Sequence, residues 1–340
     1  MPDRVLLTGI SGFLGSHVAL ALLAAGFAVR GSLRDAARAP RVRAALHAAG
    51  ADVSRLEFVL LDLMREEGWH GAARGCRYLQ HVASPLTVRM PADRNQLIRP
   101  AVEGTRRALE AALAAGVERV VLTSSTAAIM HGHPRTRTEP FTESDWSRTD
   151  GEGVSAYTES KTRAELEAWS IMERAGRRDD LATINPTVIL GPLLDDDPGT
   201  SAILVRRLLD GSAPAAPRLF FGIVDVRDVA ALQLAAMLNP RAGGHRFLAS
   251  AGTVGLIELA RALRVRFPER AGKVPRFEIP DWMVRIYALF DRDMAANVGS
   301  LGIRHAADAS RALSLLGRPF ISPAQAAAAT AQSLIARQLV

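Results

Sequence analysis

Short apolar runs alternate with amphipathic stretches through the first half of the chain. Six runs have the length of buried strands, and they occupy residues 5–9, 27–33, 56–62, 77–83, 117–125 and 181–185. The stretches between them carry apolar residues three and four positions apart, as helices do, and two of them end at Gly26 and Gly116. Strands that alternate with helices build right-handed βαβ units. The pattern therefore predicts an α/β fold with a doubly wound parallel sheet that helices cover on both faces.

The regular alternation ends after Pro186. Polar loops at residues 191–200 and 211–222 interrupt the apolar pattern, and amphipathic helices follow at residues 226–238 and 254–267. This change predicts a second, smaller lobe of mixed structure that is built from the C-terminal half of the chain.

The break at Pro186 also sets the predicted domain bounds. Residues 1–185 form the sheet domain, with a later segment of about 222–250 interleaved in it, and residues 186–340 form mainly the smaller lobe. Within that lobe, four large apolar side chains recur at helical spacing, which favours core packing over an aromatic cage around the substrate. They are Trp282, Met283, Tyr287 and Phe290.

Composition narrows the class of protein further. The chain has 340 residues, of which 48% are hydrophobic, which is typical of one or two globular domains. No apolar run approaches the roughly 18 residues of a membrane span, and the N-terminal residues do not resemble a secretory signal, so a cytoplasmic location is expected. The single cysteine, Cys76, excludes an internal disulfide and any cysteine-based metal centre. No metal site is expected.

The formal net charge of +7 does not indicate a nucleic-acid site. Residues 1–240 hold 28 basic and 28 acidic side chains, whereas residues 241–340 hold 14 and 7. The excess lies in the last hundred residues without a block of consecutive basic residues, which is typical of solvated arginines on helix faces. We therefore expect no nucleic-acid partner and no membrane partner.

A glycine-rich turn follows the first predicted strand. Gly9, Gly12 and Gly15 recur every third residue and open the first helix. Such glycines allow a tight turn, a close approach of backbone N–H groups to a pyrophosphate, and close packing of helix on strand. A βα turn without a ligand is the alternative. The residues predicted to contact a dinucleotide here are Gly9, Ser11, Gly12, Phe13, Leu14 and Gly15.

The end of the second strand distinguishes NADP from NAD. An acidic residue there would bind the adenosine ribose hydroxyls, whereas Arg34 and Arg38 suit a 2′-phosphate. Asp35 is the residue that argues for NAD. Asp62 and Leu63, after the third strand, are predicted to lie against the adenine, and a helix cap is the competing role for Asp62. The sequence therefore predicts NADPH/NADP, with NADH possible.

Tyr157 and Lys161 form the most specific chemical pattern in the chain. Residues four apart share one face of a helix, so the Lys161 ammonium is expected to lower the pKa of the Tyr157 phenol and to reach the nicotinamide ribose. A phenol adjusted in this way can act as an acid or base at a carbonyl or alcohol oxygen. Ser125, at the end of the fifth strand, is expected to hold that oxygen, and strand alternation directs Ser124 to the other face.

With these residues in place, the chain resembles the extended short-chain dehydrogenases/reductases, which have a Rossmann fold. Within them it is most similar to the dihydroflavonol reductase, cinnamoyl-CoA reductase and methylglyoxal/aldehyde reductase group. The resemblance continues into the C-terminal residues 315–334. The motifs that carry it lie at residues 8–17, 81–85, 122–125, 156–165, 184–192 and 224–230.

The resemblance implies a Ser125–Tyr157–Lys161 triad, with Asn95 as a fourth member. It also implies that the first domain binds the dinucleotide and that the smaller lobe binds substrate. Further cofactor contacts implied by it are Val82, Ala83, Ser84, Thr123, Pro186, Val188 and Ser201. Substrate contacts implied by it are Pro85, Ser125, Met130 and His131.

The expected activity is the NADPH-dependent, reversible reduction of an aldehyde or ketone to an alcohol. A small-molecule carbonyl compound is the expected partner, and the chain is expected to be a monomer or a homodimer. The NWYCYGK-like stretch of plant cinnamoyl-CoA reductases is absent, and Met130 or His131 stands where flavonol-type reductases carry an Asn. Two alternatives stay open: an NAD-dependent nucleotide-sugar epimerase or dehydratase, and a non-catalytic NADP-sensing protein.

Overall fold

The computed structural model of the protein describes residues 2–85, 93–151, 154–197, 199–290 and 298–340. The strands in these ranges are β1 (Arg4–Thr8), β2 (Ala28–Leu33), β3 (Leu56–Leu60), β4 (Tyr78–His81), β5 (Arg119–Thr123), β6 (Leu181–Pro186), β7 (Val188–Leu190), β8 (Ala216–Pro217), β9 (Phe220–Asp225), β10 (Arg246–Ala249), β11 (Thr253–Gly255) and β12 (Glu278–Ile279). The α-helices are α1 (Phe13–Ala24), α2 (Ala39–Ala48), α3 (Trp69–Ala73), α4 (Asn95–Ala114), α5 (Ala156–Arg174), α6 (Ala202–Leu209), α7 (Val226–Leu238), α8 (Leu256–Arg266), α9 (Asp281–Tyr287), α10 (Ser310–Leu316) and α11 (Pro323–Ala336).

The central sheet has seven parallel strands in the order β10-β6-β5-β4-β1-β2-β3. Six of them match the predicted strands, and the predicted α/β Rossmann fold is confirmed. The seventh strand, β10, was not predicted as a strand. It has four residues and lies beside β6, within the segment 222–250 that the sequence places with the first domain.

Alternation along the strands explains why helices cover both faces of this sheet. In β1, Val5 and Leu7 pack into one hydrophobic cluster with the buried face of α1. Leu6, between them, packs into a second cluster with residues of α4 and α5, such as Leu109 and Met172. Successive side chains of a strand point to opposite faces, so one apolar strand supplies both cores.

The smaller lobe is mixed, as predicted. Strand β9 pairs in parallel with β7 and antiparallel with β11, and a short parallel pair joins β8 to β12. Helices α6, α8 and α11 bury a shared core that includes Val205, Leu259 and Ala331. This lobe begins at β7, directly after the carboxyl end of β6, so it adjoins the carboxyl ends of the parallel strands.

The predicted core packing of the four large apolar side chains around α9 is wrong. Trp282 is 62% exposed and Phe290 is 84% exposed, while Met283 and Tyr287 are also on the surface. Val284 is the buried residue of this helix, and it packs with Leu219 and other residues of the lobe. Within the described ranges, no helix combines the length and apolar character that crossing a membrane requires.

Candidate active site

The polar residues at the carboxyl ends of neighbouring strands meet at one edge of the sheet. Thr8, the last residue of β1, pairs with His81, the last residue of β4, and Thr123 at the end of β5 pairs with Ile184 of β6. In open α/β sheets this edge is where ligands bind. The glycine loop, Ser125 and the residues after His81 all leave the sheet at this edge.

The glycine loop has the close packing that its sequence predicts. Gly9 has φ +73°, and a β-carbon there would lie 2.9 Å from Cα of Ala83. A β-carbon at Gly15 would lie 2.0 Å from the carbonyl oxygen of Gly9. Helix α1 begins after Gly12 without a side-chain cap, so its first N–H groups are available to an anion. The residues present fit the diphosphate of a dinucleotide.

The Thr8 hydroxyl, which hydrogen-bonds the buried His81, holds the residues that follow β4 close to this loop. The Thr8 hydroxyl accepts hydrogen bonds from the backbone N–H of Val82 and of Ala83, both at 3.0 Å. Its own proton must therefore go to Nδ1 of His81, 2.9 Å away, which fixes the imidazole as the Nε2–H tautomer. Burial, with the nearby charge of Lys161, lowers the pKa of His81 to about 3. The structure thus places Ala83 beside Gly9, through a contact that sequence reasoning missed.

After β2, the two arginines that are predicted to bind the 2′-phosphate lie at the surface. Arg34 is exposed, and Arg38 donates to Asp197 at 3.0 Å. The carboxylate of Asp35 accepts from the backbone N–H of Ala37, so it serves as a local cap. This turn gives Asp35 a structural role and leaves the two guanidinium groups as the charged donors at the end of β2.

The third strand ends in a similar local turn. The Asp62 carboxylate accepts from the backbone N–H of Met64 at 2.8 Å, which favours the capping role over an adenine contact for this side chain. Leu63 packs against α4, where a β-carbon at Gly104 would lie 2.5 Å from the Leu63 side chain. Neither observation connects these two residues to the adenine.

The predicted triad comes together at the ends of β5 and α5. The Ser125 hydroxyl accepts from the backbone N–H of Ala127 at 3.1 Å and hydrogen-bonds Tyr157. Ser155 caps α5 by accepting from Thr158, so Tyr157 lies in the first turn of that helix. Lys161, one turn further and 7% exposed, donates to the carbonyl oxygen of Thr123 at 3.4 Å.

Burial acts in opposite directions on the two titratable members of the triad. It raises the pKa of the Tyr157 phenol, against the effect of the Ser125 hydrogen bond. It lowers the pKa of Lys161 to about 8, against the attraction of Glu165. The expectation that Lys161 lowers the pKa of Tyr157 is therefore wrong: desolvation dominates, and the phenol stays protonated at neutral pH. A protonated phenol is the form that can donate to a developing alkoxide.

Other predicted contacts lie around this edge to different degrees. Ala83, Ser84, Thr123 and Lys161 line one small cavity. Pro186 is buried, while Pro85, Met130, Val188 and Ser201 are half-buried and His131 is exposed.

Asn95, predicted as a fourth catalytic residue, does not lie with the triad in the structure. Its side chain is exposed and lines an outer groove between α4 and α5, together with Arg163 and Leu166. Lys161 instead points inward on α5, toward Thr123.

Sequence reasoning also missed a buried ion pair below the triad. Glu165 is fully buried and lies 2.6 Å from Nε of Arg246 in β10. Ser124, expected on the face opposite Ser125, hydrogen-bonds the same carboxylate, so both serines contact side chains of α5. The signal available in the sequence was the spacing of Glu165, which lies four residues after Lys161 on the catalytic helix.

Comparison with known proteins places this site in a family. The model of the "NAD dependent epimerase/dehydratase family" matches residues 5–249. The chain belongs to this family. Within it, the chain is of the extended short-chain dehydrogenase/reductase type, so the resemblance inferred from the sequence is confirmed.

Three members of this family illustrate the likeness. Dihydroflavonol 4-reductase of Zea mays is 33% identical over 270 residues, which cover 78% of this chain and 74% of that protein. Cinnamoyl-CoA reductase 1 of Oryza sativa subsp. japonica is 35% identical over 270 residues, which cover 78% and 76%. The structure of yeast methylglyoxal/isovaleraldehyde reductase Gre2 complexed with NADPH matches with a TM-score of 0.81 and 25% identity, over 99% of this chain and all of that one.

Proposed function

We propose that this protein is an NADPH-dependent reductase that converts an aldehyde or ketone to an alcohol, with Tyr157 as the proton donor. The observation that carries the proposal is the meeting of Ser125, Tyr157 and Lys161 at the sheet edge that also holds the glycine loop. Named reductases among the relatives, and the NADPH complex of Gre2, support an NADPH-dependent oxidoreductase acting on small-molecule carbonyl compounds.

The chain offers a continuous set of groups for the cofactor. The uncapped N-terminus of α1 would hold the diphosphate, and Arg34 and Arg38 would bind the 2′-phosphate. The Lys161 ammonium would bind the nicotinamide ribose. Between the diphosphate and this ribose, the cofactor would contact Val82, Ala83 and Ser84. When bound, the reduced nicotinamide supplies a hydride to the carbonyl carbon.

Ser125 and Tyr157 then act on the carbonyl oxygen. The Ser125 hydroxyl orients that oxygen, and the O–H of Tyr157 transfers its proton to the alkoxide that develops there. The pKa of the phenol, which desolvation raises, keeps this proton available at neutral pH. Alcohol oxidation would use the same groups in reverse.

Tyr157→Phe tests this assignment. The substitution removes only the hydroxyl, so we expect NADPH binding within about twofold of the wild type and a loss of about 10²–10⁴ in kcat. Cofactor binding is measured by NADPH fluorescence, and turnover by NADPH oxidation with a panel of aldehydes and ketones, run in parallel with NADH. A Tyr157→Phe protein with wild-type turnover would exclude the mechanism. If the wild-type protein retains NAD on purification and turns over a UDP-sugar, an epimerase is favoured. If it turns over no substrate, a non-catalytic sensor is favoured.

The proposal also includes the roles of the two domains, the location of the protein and its partners. Residues 1–185, with about 222–250 interleaved, bind the dinucleotide, and residues 186–340 mainly bind substrate. We further propose a cytoplasmic enzyme, monomeric or homodimeric, without a nucleic-acid partner, which the single cysteine and the balanced charge of residues 1–240 support.

A further inference from the structure

The buried carboxylate of Glu165 is the hub of a polar network behind the triad. It is fully buried, one helical turn beyond Lys161, and both of its oxygens accept hydrogen bonds from several elements. The donors are Ser124, Trp169, Thr183, Asn185 and Arg246. Every lone-pair direction of this carboxylate is thus used, which is the condition under which a buried charge is tolerated.

Arg246 connects this carboxylate to the segment that follows Ser125. Its Nη1 donates to the carbonyl oxygens of Glu143 at 2.8 Å and Asp145 at 2.6 Å, and its guanidinium lies 3.8 Å from the centroid of the Trp146 ring. The Arg246 side chain is 8% exposed. The guanidinium therefore fixes the stretch of chain that returns from Ser125 toward α5.

Asn185 connects the same carboxylate to Ser125 itself. Its Nδ2 donates to Glu165 at 2.7 Å and to the carbonyl oxygen of Ser125 at 3.2 Å. Ser124, the residue before Ser125, also hydrogen-bonds Glu165. The backbone on both sides of the catalytic serine is thus held by one carboxylate.

Glu165 is also the negative charge that acts on Lys161. The two side chains line one small cavity, and the attraction of Glu165 opposes the loss of charge that burial imposes on the ammonium. The other titratable groups that face Lys161 are Tyr157, from its own helix, and His81, from β4, whose low pKa keeps it neutral. Arg246 contacts the same Glu165 carboxylate at 2.6 Å.

We propose that Glu165, anchored by Arg246, is a positioning residue for the reductase site: it fixes Ser125 through Ser124 and Asn185 and holds a negative charge one helical turn from Lys161. A buried ion pair contributes little to stability compared with apolar residues of the same volume. Its role here is instead to set the geometry and charge of the triad. This inference rests on the proposed function.

Glu165→Gln is the first test. It keeps the size of the side chain and removes its charge. We expect kcat to fall at least tenfold, the Kd for NADPH to change by less than threefold, and the alkaline limb of the pH profile of kcat/KM to move to lower pH. Asp228→Asn is the matched control, because Asp228 is another fully buried carboxylate, paired with Arg318 at 2.6 Å, away from the triad.

Because Glu165→Gln leaves a buried arginine without its partner, the double variant Glu165→Gln/Arg246→Gln is measured as well. It removes both charges and keeps two amides able to hydrogen-bond, and we expect the alkaline limb to stay displaced, by less than in the single variant. The inference is overturned if the alkaline limb of kcat/KM keeps its wild-type position in whichever of these variants folds. It is also overturned if Asp228→Asn displaces the limb by the same amount. In that case an inactive Tyr157→Phe protein leaves the proposed function intact, whereas an active one removes it independently.

Discussion

At the scale of single residues, desolvation decides the charge state of the site. A phenol and an ammonium respond oppositely to burial because one is charged when deprotonated and the other when protonated. In this site the Tyr157 pKa is raised and the Lys161 pKa is lowered to about 8. Below pH 8 both groups therefore carry the proton that carbonyl reduction requires.

This charge state predicts the pH dependence of reduction. Lys161 is protonated below its pKa of about 8 and loses its charge above it. We therefore expect kcat/KM for reduction to be level near pH 7 and to fall above pH 8 by about tenfold per pH unit. Steady-state rates from pH 6 to pH 10, with NADPH saturating, provide the measurement. A profile that stays level to pH 9.5 would contradict it.

The end of β2 predicts the coenzyme preference. Arg38→Ala removes one charged donor to a 2′-phosphate, so we expect the Kd for NADPH to rise about tenfold while that for NADH stays the same. Arg41→Ala is the control, since Arg41 also pairs with the loop after β7, at Asp195. Fluorescence titrations with both coenzymes measure the two constants. An equal loss for NADPH and NADH would show that Arg38 does not recognise the phosphate.

At the scale of elements, the contact between α1 and β1 depends on one missing side chain. The β-carbon of an alanine at position 15 would lie 2.0 Å from the carbonyl oxygen of Gly9, so the helix must move away from the loop. Because the proposed diphosphate site is formed by the uncapped N–H groups of α1, the same movement would remove it.

Gly15→Ala is thus expected to lower the free energy of unfolding by about 3 kcal/mol and to abolish NADPH binding. Gly71→Ala, in α3, is the control, because a β-carbon there meets no atom within 4 Å. It should leave both properties unchanged or raise stability slightly. Urea denaturation and NADPH titration measure the two effects. A Gly15→Ala protein as stable as Gly71→Ala would contradict the packing described for the loop.

At the scale of the whole molecule, buried neutral histidines make folding sensitive to acid. The pKa of His81 is about 3 in the folded chain and near its ordinary value of 6.5 in the unfolded chain. Between these values the unfolded state binds the extra proton, so stability falls as the pH decreases below 6.5, by about 1.4 kcal/mol per pH unit from this residue. His17, whose pKa burial also lowers, adds to the same trend.

His81→Asn should weaken this acid sensitivity. The asparagine oxygen can still accept from Thr8, and the side chain does not titrate. We expect the loss of unfolding free energy between pH 7 and pH 5 to be smaller than in the wild type, whereas His70→Asn, at an exposed position, should leave it unchanged. Urea denaturation at the two pH values measures the difference. Equal losses in all three proteins would show that His81 is not the group responsible.

Local patterns were sufficient for the elements and for the chemistry they carry. The six predicted strands have continuous apolar runs because both faces of a parallel sheet are buried, and such runs are visible in the sequence. Tyr157 and Lys161 are four residues apart on one helix, so their shared face follows from helix geometry. The four-residue strand β10 lacked such a signal, because its pairing with β6 depends on a neighbour about sixty residues away.

The sequence by itself therefore determined the α/β fold, the glycine loop and the shared helix face of Tyr157 and Lys161, since each follows from patterns within single elements or turns. The tertiary structure decided the rest. Glu165 and Arg246 lie 81 residues apart and meet only because β10 joins the sheet beside β6. The raised pKa of Tyr157 and the neutral state of His81 likewise depend on desolvation. Desolvation, like the exposure of Trp282, is set by the elements that pack around each side chain.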